Sequence, residues 1–213
     1  MKEIYNFTCK KNHIRKEILN MKKSTIILLG VLAFFVVLIL CLGISFKNSY
    51  NKMVTAQEGV EKALADLDTM LQRRADLIPN LVNTVKGESN HELEIINSVT
   101  SARTKLVNAD TVEEMSEANS QLSSSLKMLM LNVTENYPQI ATSKAFTELR
   151  DELSGTENRI AVARRDYNGA VQEYNLFIKK FPNNILAGMF GFEKAEYFEA
   201  DESAQEVPNV SFD

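Results

Sequence analysis

The sequence contains no tryptophan, and among its 213 residues there are only two cysteines, four prolines and eight glycines. Cys9 and Cys41 both precede residue 47, so everything beyond is without thiols, which excludes a disulfide framework or a cysteine-based metal site there. Proline and glycine are scarce, and no period-2 run of β-branched residues occurs, so nothing signals strands or hairpins. There is no H-E-x-x-H, no cysteine pair and no acidic calcium loop. Charge is also missing in one place: from Ile26 to Phe46 no residue is ionisable except Cys41.

A helix over that uncharged run reaches roughly 30 Å at about 1.5 Å per residue, the thickness of a bilayer's hydrocarbon layer. We therefore expect residues 24–46 to form a single transmembrane helix that contacts the lipid bilayer. The competing reading is a cleaved signal peptide, with Lys22 and Lys23 as its basic flank. Its apolar region would span only about 7 to 15 residues, and here no Ala-x-Ala site follows. Leu40 before Cys41 argues against lipid attachment, leaving Cys41 as an apolar filler.

Residues 1–23 form a basic segment holding seven Lys/Arg (Lys2, Lys10, Lys11, Arg15, Lys16, Lys22 and Lys23) against Glu3 and Glu17. The positive-inside rule then places the N-terminus in the cytoplasm and the body outside. Met21-Lys22-Lys23-Ser24 also makes a natural start, which leaves open whether translation begins at Met1 or Met21. From Lys47 onward there are 17 Lys/Arg and 26 Asp/Glu, a formal charge of −9. So acidic a body does not seek nucleic acid or anionic lipid.

Beyond the anchor, apolar residues alternate at spacings of three and four, which keeps one helix face turned to a partner. A first segment, Tyr50 to Lys86, carries one seam of Met53, Val60, Leu67, Arg74 and Leu81 and another of Gln57, Leu64, Leu71, Ile78 and Val85. A second, Glu92 to Val107, aligns Ile95, Val99, Ala102 and Leu106. Asp110 or Thr111 would cap the third, with Glu113 and Glu114 in its first turn. Its stripe is Met115, Asn119, Leu122, Leu126, Leu129 and Val133, and it stops before Pro138. The fourth stripe runs from Phe146 through Leu153, Ile160, Tyr167 and Tyr174 to Phe181. These residues predict an all-α fold: an antiparallel four-helix bundle over residues 47–182, with long first and last helices. Residues 183–213 read as an acidic and aromatic strap, irregular and packed partly on the bundle.

A further cluster is not explained by periodicity: Arg73-Arg74-Ala75-Asp76-Leu77-Ile78-Pro79-Asn80-Leu81-Val82, then Val85-Lys86-Gly87 and His91-Glu92. With Ala102-Arg103, Tyr137-Pro138, Ala163-Arg164, Tyr167-Asn168, Tyr174-Asn175, Phe181-Pro182 and Tyr197-Phe198, it resembles the LemA family from Tyr50 to Phe212. Leu64, where members often have tryptophan, and Glu88-Ser89 depart from the pattern. The resemblance implies a bacterial protein of the inner membrane, with a short N-terminal membrane helix, an antiparallel helical bundle and no established enzymatic activity.

Several residues are candidates for structural or recognition roles. Pro79 lacks an amide and frees the carbonyl of Ala75, four residues earlier. With Arg73, Arg74 and Asp76 it would present a recognition point to a partner or another copy; the plainer reading pairs Arg74 with Asp166 or Glu157 on the fourth helix to set register. Asn80, Asn168 and Asn175 lie beside seams, where polar residues usually specify alignment. Tyr167 and Tyr174 would line a ligand groove or, more simply, join the core. Arg103 and Arg164 enter through the resemblance.

His91 with Glu92 reads as a helix-start arrangement before it reads as a catalyst or a metal site. The expected function is accordingly a membrane-anchored scaffold or adaptor that binds membrane or envelope proteins or self-associates. It has no catalytic residue, no metal and no cofactor. Two rival readings stay open: a membrane-tethered, metal-dependent hydrolase using His91, Glu92 and nearby carboxylates, and a secreted helical protein released by signal cleavage.

Overall fold

The computed structural model describes residues 2–86 and 93–199. Among these residues there are six helices and no strand: α1 (Lys2–Lys86), α2 (Leu93–Val107), α3 (Val112–Asn136), α4 (Pro138–Ala141), α5 (Lys144–Lys179) and α6 (Asn183–Phe190). The chain divides into two compact units, residues 1–52 and 53–213.

In the first unit, α1 holds the uncharged run, and every side chain from Ile26 to Phe46 is exposed. It is the one helix among the described residues long and apolar enough to cross a bilayer. An exposed apolar surface of this extent suits lipid as its solvent.

In the second unit the rest of α1 shares one core with α2, α3 and α5. The first seam is buried at every position, Met53, Val60, Leu67, Arg74 and Leu81, although Arg74 is a cation. The second seam is buried only from Leu71 on: Leu64 is half-buried and Gln57 is exposed. On α3, Asn119, Leu122, Leu126, Leu129 and Val133 are buried, and on α5, Phe146, Leu153, Thr156, Ile160, Tyr167 and Tyr174.

Side-chain bonds set the helix directions. Lys105 donates to Gln121 at 2.9 Å and Ser98 pairs with Ser125 at 2.8 Å, so α2 and α3 run oppositely. Arg103 of α2 bonds Ala75 of α1, and the seven steps of chain from Lys86 to Leu93 span at most about 25 Å, too little to join parallel helices in that register, so α1 and α2 also run oppositely. Near the middle of α3, Asn119 and Ser123 are linked through Arg74 to Glu157 of α5, whereas Ser116 is linked through the C-terminal segment to Asn168. Stepping toward the start of α3 thus means stepping toward the end of α5. α1 and α3 run one way, α2 and α5 the other.

Helix ends follow local chemistry. Thr111 caps α3, its hydroxyl accepting from the Glu114 amide at 3.1 Å while the Glu114 carboxylate accepts from the Thr111 amide at 3.3 Å, a reciprocal capping box. α3 stops at Asn136, and Pro138 opens the single turn of α4, which the apolar spacing did not signal. Ser143 caps α5 by accepting from the Phe146 amide.

Two expectations are corrected at the C-terminal end. Phe181 closes the fourth stripe on paper, but α5 ends at Lys179 with Lys180 extended, and Phe181 is 80% exposed. The segment expected to be irregular begins with a helix, α6, which buries Leu186 and Ala187. Gly191 ends it in the left-handed conformation, φ 75°, which glycine adopts without a Cβ clash. The chain turns there and runs as an extended strap along α5 to Glu199.

Candidate functional site

Two polar constellations hold the second unit together. The first surrounds Arg74, which is only 4% exposed. Its guanidinium donates to Asn119 Oδ1 at 2.9 Å and Ser123 Oγ at 3.0 Å, and pairs with Glu157 Oε2 at 2.7 Å. One side chain of α1 is thereby tied to α3 and α5 through the planar fork that arginine provides and lysine lacks. Of the two carboxylates open to it in the sequence, Glu157 lies against Arg74, while Asp166 lies 3.9 Å from its neighbour Arg165. Arg73 makes a separate, exposed pair with Glu152 at 3.0 Å.

Pro79 deprives the Ala75 carbonyl of its helical donor, and Arg103 Nε fills the vacancy at 2.8 Å. A guanidinium from α2 thus satisfies the buried acceptor that the proline creates in α1. Asp76 is exposed and accepts from Gln72 at 2.8 Å; Asn80 is exposed, and its carbonyl accepts from Thr84. Arg73, Arg74, Asp76, Pro79 and Asn80 are close in sequence but do not converge on one point.

The second constellation is a ladder on α5. Tyr167 donates its hydroxyl to the Glu196 carbonyl and Tyr174 to the Glu193 carbonyl, each at 2.8 Å. Asn168 donates to the Phe198 carbonyl and accepts from the Phe198 amide, both at 2.9 Å. Asn175 does the same with both backbone groups of Ala195, again at 2.9 Å. Each asparagine thus offers one donor and one acceptor, as the edge of a β-sheet does.

The spacings match for a geometric reason. Seven residues of helix advance about 10.5 Å, and three residues of extended chain advance about 10 Å. The Tyr-Asn pair recurs after seven residues on α5, and its partners recur after three on the strap, Glu193 to Glu196 and Ala195 to Phe198. The strap enters antiparallel to α5, seats Phe198 in the core at 1% exposure, and accepts a bond from Ser116 of α3 at Glu199. Burial first, and then the nearby Glu196 and Glu193 carboxylates, push the Tyr167 and Tyr174 hydroxyls above the ordinary tyrosine range.

Arg164 is partly buried one turn before Asn168. His91 and Glu92, the candidate pair for metal or acid–base chemistry, lie outside the described residues. Asn119, Ser123 and Phe198 are among the partners that sequence reading did not single out as site residues. Asn119 did carry a signal, an amide in an otherwise apolar stripe; Ser123 carried none.

An apolar segment able to span a bilayer, followed by long helices sharing one core and a C-terminal strap clamped by tyrosine and asparagine, defines a membrane-associated helical protein. The LemA family model matches residues 63–212, and the chain belongs to that family. It is 28% identical over 180 residues to Protein LemA of Metamycoplasma hominis, covering 81% of each chain. It is 29% identical over 209 residues to Magnetosome protein MamQ 2 of Paramagnetospirillum magneticum, covering 86% of this chain and 73% of that one. Magnetosome protein MamQ of Magnetospirillum gryphiswaldense is 25% identical over 188 residues, 76% of this chain and 68% of its own.

Proposed function

We propose that the protein is a membrane-anchored helical scaffold that carries protein partners, or further copies of itself, on its acidic helical surface and performs no catalysis. One observation carries this reading. Among the described residues, most of the polar side chains that stand out in the sequence engage one another or backbone groups of the same chain: Arg74 with Asn119, Ser123 and Glu157, Arg103 with Ala75, and the Tyr-Asn pairs with the strap. They serve rigidity, and a rigid body leaves its outer faces for recognition. Photo-crosslinking in living cells from exposed positions such as Glu117 and Glu148 should give discrete protein adducts. Stoichiometric zinc or manganese on the purified full chain, lost on His91→Ala, would replace this reading with the metal-dependent hydrolase.

The positive-inside distribution supports a cytoplasmic N-terminus with the body outside. In a chain lacking Cys9 and Cys41, Ser124→Cys, at an exposed position on α3, should react with an impermeant thiol reagent on intact cells. Protection until lysis reverses the orientation.

A further inference from the structure

From Phe181 to Phe192 the chain has no charged residue, in a body whose formal charge is −9. α6 lies within that stretch and buries only Leu186 and Ala187. On its outside Ile185 and Met189, one turn apart, are 55% and 71% exposed; Phe190, its last residue, is 55% exposed, and Phe181 just before it is 80% exposed. A helix on a water-facing surface normally carries charge there; several large apolar side chains side by side mark a contact surface. Lys179 and Lys180 precede the stretch and Lys194 follows it, so residues 179–194 hold three lysines against Glu193 alone.

The helix directions locate this surface. α1 and α5 run oppositely and meet at the Arg74–Glu157 pair. Met53 precedes Arg74 by as many residues as Ile178 follows Glu157, and about 1.5 Å per residue puts both about 32 Å away along the same direction. α6 begins five residues after Ile178, so it lies at the end of the second unit where Met53 enters. The seven steps of chain from Phe46, last residue of the uncharged run, to Met53 span at most about 25 Å however they are arranged.

We propose that the outer face of α6, together with Phe181, is a lipid-contacting surface that sits in the interfacial layer of the same bilayer that residues 24–46 cross. This rests on the reading of residues 24–46 as a membrane anchor. The lysines flanking the apolar face suit a headgroup layer, and the large side chains suit the acyl boundary beneath it. An eight-residue helix binds lipid weakly by itself. Tethered within reach of the surface, it makes an intramolecular contact at an effective concentration on the order of millimolar.

The absence of tryptophan supplies the test. Met189→Trp is introduced into the full chain, which is reconstituted in phosphatidylcholine vesicles with or without lipids brominated near the headgroup end of the acyl chain. Emission should be blue-shifted and lose intensity roughly twofold in the brominated vesicles, as for an interfacially buried helix. Leu131→Trp, exposed on α3 toward the opposite end, should stay water-like and unquenched. Adding Ile185→Glu and Phe190→Glu to the Met189→Trp chain should abolish the quenching while helical circular dichroism is unchanged.

Water-like emission from Met189→Trp overturns the proposal. So does a blue shift without quenching, which means that protein, such as a second copy, covers the face, and so does quenching that survives the two glutamates. Phe34→Trp reports on the span itself: if it too escapes quenching, the anchor reading falls along with the α6 surface, and if it is quenched while Met189→Trp is not, only the α6 surface falls.

Discussion

Arg74 shows how one buried cation sets the alignment of three helices. Its fork satisfies Asn119, which is only 6% exposed, while the Glu157 side chain keeps 49% of its surface in water. The two partners therefore differ in what they lose when the cation goes. Arg74→Met fills the volume but strands the Asn119 amide, and we expect a loss of about 1–3 kcal/mol of stability, read by urea unfolding in detergent micelles. Glu157→Gln keeps an acceptor at a half-exposed site and should cost less than about 1 kcal/mol. Equal costs for the two would show that the ion pair, not the buried amide network, dominates.

Tyr167 and Tyr174 give a second residue-scale expectation. Both hydroxyls donate to the strap only while protonated, and both titrate above the ordinary 10.0 in the fold, from burial and then from Glu196 and Glu193. Folded values raised above unfolded ones mean a contribution fully present below pH 10 and lost as pH rises through the raised values. Tyrosinate absorbance should therefore contain a late-titrating component that Tyr167→Phe and Tyr174→Phe each diminish. Its survival in both variants would contradict this geometry.

At the scale of elements, Pro79 and Arg103 act as a unit. The proline takes away a donor within α1, and the arginine from α2 restores one. Arg103→Ala alone leaves the buried Ala75 carbonyl without its donor, for about 1–3 kcal/mol. Pro79→Ala in the same chain returns a backbone amide to that carbonyl, so the double variant should recover most of the loss. A double-mutant cycle on thermal unfolding measures the coupling, and strict additivity would show that the two residues do not share the acceptor. The sequence exposes the proline and hence the orphaned carbonyl, but its donor lies 28 positions away, beyond any local pattern.

For the molecule as a whole, the strap is the element that the second unit holds most specifically. A chain ending at Gly191 removes Phe198 from the core and strips the bonding partners from Tyr167, Asn168, Tyr174 and Asn175. Burial of one phenylalanine is worth about 1.5–3 kcal/mol and each net hydrogen bond about 1, partly recovered from water, so we expect a loss of about 3–5 kcal/mol. The truncated chain should keep its helical circular dichroism but unfold at lower urea. An unchanged midpoint would mean that the strap rides on the surface without stabilising it.

Helix class, the apolar span, the acidic body and most buried positions were legible in the residues alone, because a helix turns the same face inward every three or four positions and a bilayer demands an uncharged run. Periodicity says which face is covered, and it is silent on what covers it. It marked Tyr167 and Tyr174 as core and Asn168 and Asn175 as seam-side polar residues, yet their partners lie 19 to 30 positions away on a segment without regular structure. That pairing, the choice of Glu157 for Arg74, and the folding of residues 183–190 into a helix with an exposed apolar face were decided only when distant elements met. Their register comes from packing and from hydrogen bonds that close across the fold, and no local spacing encodes either.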